Sequence, residues 1–162
     1  MTRLILPLVL ILTALAMPKA YAFDGLVTHI VDGDTLDVIN ETGAQERIRL
    51  TNADTPELKH FKWGYQPSAS EARTSLLNLC GGKIATVVRK RVDRYGRTTG
   101  AVTCQGFDVA TWQLDNGFAW PYHYGTPKKY KRMALTAKEK GLGLWALPNA
   151  TDPYYWRKLG MH

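Results

Sequence analysis

Sulfur is scarce in this chain: it has two cysteines, Cys80 and Cys104, and no third cysteine or neighbouring histidine completes a zinc set. Histidine is sparse too. His29, His60, His123 and His162 are scattered, without the paired spacing of a zinc site and without a His-Asn-His pattern, so none is assigned a catalytic role. There is no internal repeat, low-complexity tract or linker. The apolar run at 4–17 is broken by Pro7 and Thr13 and falls short of the about 20 apolar residues that a spanning helix needs.

What stands at the N-terminus is instead the pattern of a signal peptide. Arg3 precedes the apolar run, and Ala20-Tyr21-Ala22 follows it with the small-x-small spacing of a cleavage site. Cleavage is expected between Ala22 and Phe23, making residues 1–22 a leader and the mature protein periplasmic or secreted, with no stable membrane association. The mature segment, 23–162, has 140 residues, enough for one domain with a core and a short C-terminal tail. Removing Arg3 and Lys19 leaves 19 basic against 14 acidic residues, an excess that suits a polyanionic partner but that many solvated domains also carry. In an oxidising compartment the even pair Cys80 and Cys104 favours a disulfide, the alternative being two buried thiols. Nothing demands more than a monomer.

The mature chain reads as strands first and helices later. β-rich runs at 26–31 and 35–40 flank Asp32-Gly33-Asp34, a turn at 41–44 follows, and a third strand covers 46–53 with Ile48 and Leu50 facing alike. Ser68-Ala69-Ser70-Glu71 has capping-box spacing, and Ala69, Ala72, Leu76 and Leu79 share one face of a helix ended by Gly81-Gly82. Strands are expected at 83–90 and 98–104, a helix capped by Asp108 at 109–116, and another at 130–140. The implied fold is α+β, a five-stranded Greek-key-type barrel with three helices. Trp112, Trp120 and Trp145 suit the core, and Trp63 the surface beside the site.

Three clusters carry the chemistry. Asp32 and Asp34 are two apart, a spacing that puts both carboxylates on one strand face, where a hard cation relieves their repulsion. A solvated Asp-Gly hairpin turn is the competing reading. Asp54-Thr55-Pro56-Glu57 adds a third carboxylate, a main-chain oxygen and, beyond a stiff proline, a fourth carboxylate at fixed offset; a plain turn or helix start is its alternative. Arg49 precedes Asp54 by five residues, and its planar fork suits phosphate oxygens, whereas Arg47 reads as an ordinary surface arginine. Asp93-Arg94-Tyr95-Gly96-Arg97 is either a cationic hairpin tip or an arginine aimed into a cleft over Tyr95. A cation, arginines and a free carboxylate are what phosphodiester hydrolysis requires, so the conjunction reads as a metal-dependent nuclease.

Val31-Asp32-Gly33-Asp34-Thr35, Arg49-Leu50, Ala53-Asp54-Thr55-Pro56-Glu57 and Asp93-Arg94-Tyr95-Gly96-Arg97, in this order, resemble the staphylococcal (micrococcal) nuclease family, also called thermonucleases. Lys59-His60, Asn116-Gly117-Phe118-Ala119 and Gly143-Leu144-Trp145 extend the match, which runs from about Leu26 to Trp145. The resemblance implies an OB-fold barrel with three helices and Ca2+-dependent hydrolysis of DNA and RNA to 3′-phosphates. It implies that Asp34, Asp54 and the Thr55 carbonyl hold calcium, with Asp32 in the outer shell. Glu57 is then the general base or water-orienting group, and Arg49 and Arg97 clamp the phosphoryl group. Tyr122 and Tyr124, with Arg94, are the implied substrate contacts. Trp120-Pro121 and the short Gly125-Thr126-Pro127 loop depart from the family pattern around those tyrosines. The competing function is an OB-type single-stranded nucleic-acid-binding module that does not cut.

Overall fold

The computed structural model describes residues 22–59 and 64–159. The leader expected over 1–22, apart from Ala22, and His60, Trp63 and His162 lie outside the described residues. β1 (Ala22–Ile30) and β2 (Thr35–Asn40) pair antiparallel around Asp32-Gly33-Asp34. A register shift between Val27 and His29 breaks strict alternation, so Val27 and Ile30 face inward while His29 points out. The Asn40 side chain gathers the backbone N–H groups of Thr42 and Ala44, fixing the next turn. β3 (Gln45–Leu50) follows.

β3 is shorter than the expected 46–53. The chain breaks at Thr51-Asn52, where Asn52 takes a left-handed φ of 70°, and resumes as the two-residue β4 (Ala53–Asp54). That break swings Asp54 off the barrel to pair with Trp120 of β8 (Trp120–Pro121). β5 (Ile84–Val92) and β6 (Thr98–Cys104) form the second hairpin, with β5 two residues longer than expected at its C-terminal end. The strand order is β3-β2-β1-β5-β6, and β6 pairs parallel with β3, Ile48 opposite Thr98, closing a five-stranded mixed barrel. β7 (Phe107–Asp108) adds a short edge to β6. Closure leaves the five strands without a free edge.

The barrel is filled by Val27, Leu36, Val38, Ile48, Leu50, Val87 and Val102, and capped by Leu76 and Leu79 of α1 (Ala69–Cys80). The capping box expected at Ser68 does not form. Ser68 is left-handed, with φ 66°, and its hydroxyl caps nothing; the helix entry is set by the Ala69 N–H donating to the Gln66 carbonyl. The end of α1 is tied to the end of β6 by the Cys80–Cys104 disulfide, whose two residues are fully buried. α2 (Val109–Asp115) is capped by Asp108, which accepts from the Thr111 N–H, as its sequence implies.

α3 (Lys128–Glu139) starts two residues earlier than expected, and with α2 it encloses a second cluster of Ala53, Ala110, Leu114, Ala119, Tyr130 and Ala134. Gly117 and the 3-10 turn at Gly143–Ala146 meet backbone to backbone: a Cβ on Gly117 would lie 2.2 Å from the Leu142 carbonyl oxygen, and one on Gly143 2.4 Å from that of Gly117. Trp120 and Trp145 stack obliquely at 4.4 Å over that junction, half-buried like Trp112 rather than inside the core. Beyond the three expected helices is a fourth, the single turn α4 (Pro153–Trp156), started by an Asp152 cap and a proline in its first turn. Among the described residues no helix is long and apolar enough to cross a membrane.

Candidate active site

The β1–β2 turn is built to hold Asp34 still. Asp32 accepts from the Asp34 N–H at 3.0 Å. Gly33 packs so tightly that an added Cβ would lie 2.8 Å from both Ala72 Cβ and Thr55 Oγ1. The fully buried Gln113 of α2 donates to the carbonyls of Gly33 and Ala72, at 2.6 and 2.9 Å, fastening the turn to α1. Asp34 is buried, with Oδ2 accepting from the Thr55 N–H at 2.7 Å and Oδ1 from the Thr35 hydroxyl.

Arg49, on β3 and itself buried, gathers these groups. Its Nη1 lies 3.1 Å from Asp34 Oδ2 and donates to the carbonyls of Leu50 and Ala53, while Nη2 donates to Asp54 Oδ1 at 2.7 Å. Asp34, Asp54, Thr55 and Arg49 are thus brought together, with Asp32 behind. Burial pushes the Asp34 carboxyl up to about 7 against the pull of Arg49, and the charges of Asp32 and Asp54 add to the rise.

Glu57 stands at the rim. Its backbone is clamped by Gln66, which accepts from the Glu57 N–H at 3.0 Å and donates its own N–H to the Glu57 carbonyl at 2.9 Å. Burial raises its carboxyl above the ordinary range, opposed by a hydrogen bond from Arg157. That arginine, just past α4, is the residue that sequence reasoning misses. Its Nη1 donates to Glu57 Oε1 at 2.6 Å and to Asp54 Oδ1 at 3.0 Å, and its Nη2 to Asp54 Oδ2 at 2.7 Å. Burial works against its charge, but these bonds outweigh burial and raise its pKa further.

Arg97 sits one residue before β6, the strand that pairs with β3 and its Arg49. Its Nε donates to Asp93 Oδ2 at 2.8 Å, and its guanidinium lies 5.4 Å from the centre of the Tyr95 ring. Among the described residues no ion pair joins it to Asp34, Asp54 or Glu57. Arg94 is exposed at the same tip and donates to the Tyr95 hydroxyl. Tyr122 follows β8 directly, and its N–H donates to the Asn52 carbonyl, keeping it on the Asp54 side. Tyr124 is exposed, and its hydroxyl donates to that of Tyr154 at 3.0 Å.

Residues 47–147 match the family model described as staphylococcal nuclease homologue. The chain belongs to the staphylococcal nuclease family. It is accordingly a nuclease, a phosphodiester hydrolase acting on nucleic acid. It is 34% identical over 155 residues to a micrococcal nuclease of Shigella flexneri, covering 88% of this chain and 85% of that one. It is 31% identical over 156 residues to an uncharacterized endonuclease of Haemophilus influenzae, with 96% and 84% covered. A staphylococcal-like nuclease of Arabidopsis thaliana is 37% identical over 113 residues, which are 69% of this chain and 33% of that longer protein.

The donor set of this nuclease is all oxygen, and the four carboxylates of Asp32, Asp34, Asp54 and Glu57 outnumber the two guanidiniums of Arg49 and Arg157 among them, so it suits a hard divalent cation. Among the described residues, however, no three acidic, histidine or cysteine side chains stand as a ready cage. Both oxygens of Asp54 already accept from guanidiniums. Arg47 is exposed on β3, as expected of a surface strand arginine, and forks onto the buried Asp37 with bonds of 2.8 and 2.9 Å.

Proposed function

We propose that the protein is an exported, Ca2+-dependent, sugar-nonspecific endonuclease that hydrolyses DNA and RNA to 3′-phosphates, acting as a monomer in the periplasm or outside the cell. The convergence of Asp34, Asp54 and Thr55 around Arg49, with Glu57 at the rim, carries this reading. Export rests on the leader pattern of the sequence.

Asp34, Asp54 and the Thr55 carbonyl would hold the calcium, with Asp32 behind them. When bound, that ion supplies Lewis-acid stabilisation of the phosphoryl oxygens. Glu57 accepts or orients the proton of the attacking water, and burial, by raising its carboxyl, makes it the stronger base. Arg49 and Arg97 offset charge growing on the non-bridging oxygens; Arg97 reaches substrate by exchanging Asp93 for phosphate. Tyr122 and Tyr124 receive a base without reading its identity, and Arg94 adds a phosphate contact. A module that binds without cutting has no use for buried carboxylates that repel phosphate.

The test is incubation with plasmid DNA and with RNA in calcium, magnesium or chelator, followed by end-group analysis. Calcium-dependent loss of both substrates with 3′-phosphate ends is the expected result. Binding without cleavage under every metal overturns it.

A further inference from the structure

Three features converge on the C-terminal segment. Arg157 reaches two of the carboxylates that the proposed chemistry needs, satisfying both oxygens of Asp54, a residue that is 1% exposed, and one oxygen of Glu57. A carboxylate has about four lone-pair positions. Arg49 and Arg157 already take three on Asp54. The same segment also engages the implied base-binding face: Tyr154 stacks on His123 at 3.8 Å and 5°, its hydroxyl accepts from Tyr124, and Lys158 lies 4.0 Å from its ring centre.

The docking is polar and aromatic. Gln66 donates to the Thr151 carbonyl at 2.6 Å, Asp152 caps the Tyr154 N–H, and Pro153 is buried. Under the segment lies a cavity of about 160 Å³ lined in part by Pro56, Trp120, Leu144 and Trp156. A four-residue helix has almost no stability of its own, and a void beneath it forfeits the dispersion contacts of close packing. Such a segment can lift off without disturbing the barrel.

We infer that Arg157 is a tethered counter-cation that competes with the divalent ion for Asp54 and masks the base Glu57, so that ion binding and substrate entry require residues 149–159 to swing away. Arg157 then sets the ion concentration at which the nuclease becomes competent. The inference rests on reading Asp54 and Glu57 as ion ligand and base. A segment docked nine-tenths of the time weakens the apparent affinity for the ion about ten-fold.

The experiment is calorimetric titration of Ca2+ into chelator-stripped full-length wild type, Arg157→Ala, Tyr154→Ala and Asp54→Asn, with trypsin cleavage after Lys158 followed in parallel. Arg157→Ala is expected to tighten Ca2+ binding about ten-fold. Tyr154→Ala, which loosens docking but keeps the guanidinium, is expected to tighten it less, and Ca2+ to speed cleavage after Lys158 in wild type. Unchanged or weaker Ca2+ binding in Arg157→Ala, with binding lost in Asp54→Asn, overturns the competition and leaves the site assignment standing. Undiminished binding in Asp54→Asn overturns the site assignment and this inference with it.

Discussion

At the residue scale, the site mixes groups held for chemistry with groups held for geometry, and substitution separates them. Glu57→Gln removes a proton acceptor and little volume. Turnover is expected to fall about 10²- to 10⁴-fold, while nucleic-acid affinity measured by titration stays near wild type. Gln113→Leu keeps bulk but releases the carbonyls of Gly33 and Ala72 inside the protein; losing such bonds costs about 1–3 kcal/mol each, readable as a lower urea midpoint. Asp37 titrates in the opposite sense to Asp34. The Arg47 fork holds its carboxyl below the usual range despite burial, helped by His29. A depressed carboxylate contributes stability above its unfolded value, near 3.8 here, and loses it as pH falls through the lower folded value. Arg47→Ala should therefore melt below wild type at pH 6, with the gap closing toward pH 2.

At the element scale, the disulfide joins α1 to β6 across a separation of 24 residues. Closing such a loop constrains the unfolded chain by about 3–4 kcal/mol in the chain-entropy model. Cys80→Ala with Cys104→Ala should lower the melting temperature and remove the response to reductant, without abolishing cleavage. The long strands and helices are legible in the sequence because alternation and helical periodicity repeat several times within each. The pairs at Ala53–Asp54, Phe107–Asp108 and Trp120–Pro121 are too short to show a period; tertiary pairing alone makes them strands. The cap at Asp108 is legible because an aspartate just before a helical run reports a local bond to the first turn's backbone, whereas Ser68 fails because its backbone is set by the preceding turn. Asp34, Arg49 and Asp54 declare themselves by residue type and order. Arg157 does not: its partner Glu57 is 100 residues earlier, and Asp152-Pro153 signals a helix start but not its destination.

At the scale of the whole molecule, the 19 basic against 14 acidic residues of the segment 23–162 give nucleic-acid binding an electrostatic component. Affinity for a non-cleavable oligonucleotide should fall steeply with salt, by about ten-fold or more between 50 and 200 mM if three or more phosphates are contacted; a flat response would place binding on base stacking instead. The barrel's closure through β3 and β6 places Arg97, at the mouth of β6, near Arg49 on the neighbouring β3 although 48 positions separate them. The cysteine bridge also encloses the whole β5–β6 hairpin, including its exposed basic tip at 94–96. Tips of this kind are where proteases cut first. A chain nicked there stays one covalent body, running as full length without reductant and as two fragments with it, so in a protease-rich milieu the strands around the site remain tethered after the peptide between them is gone.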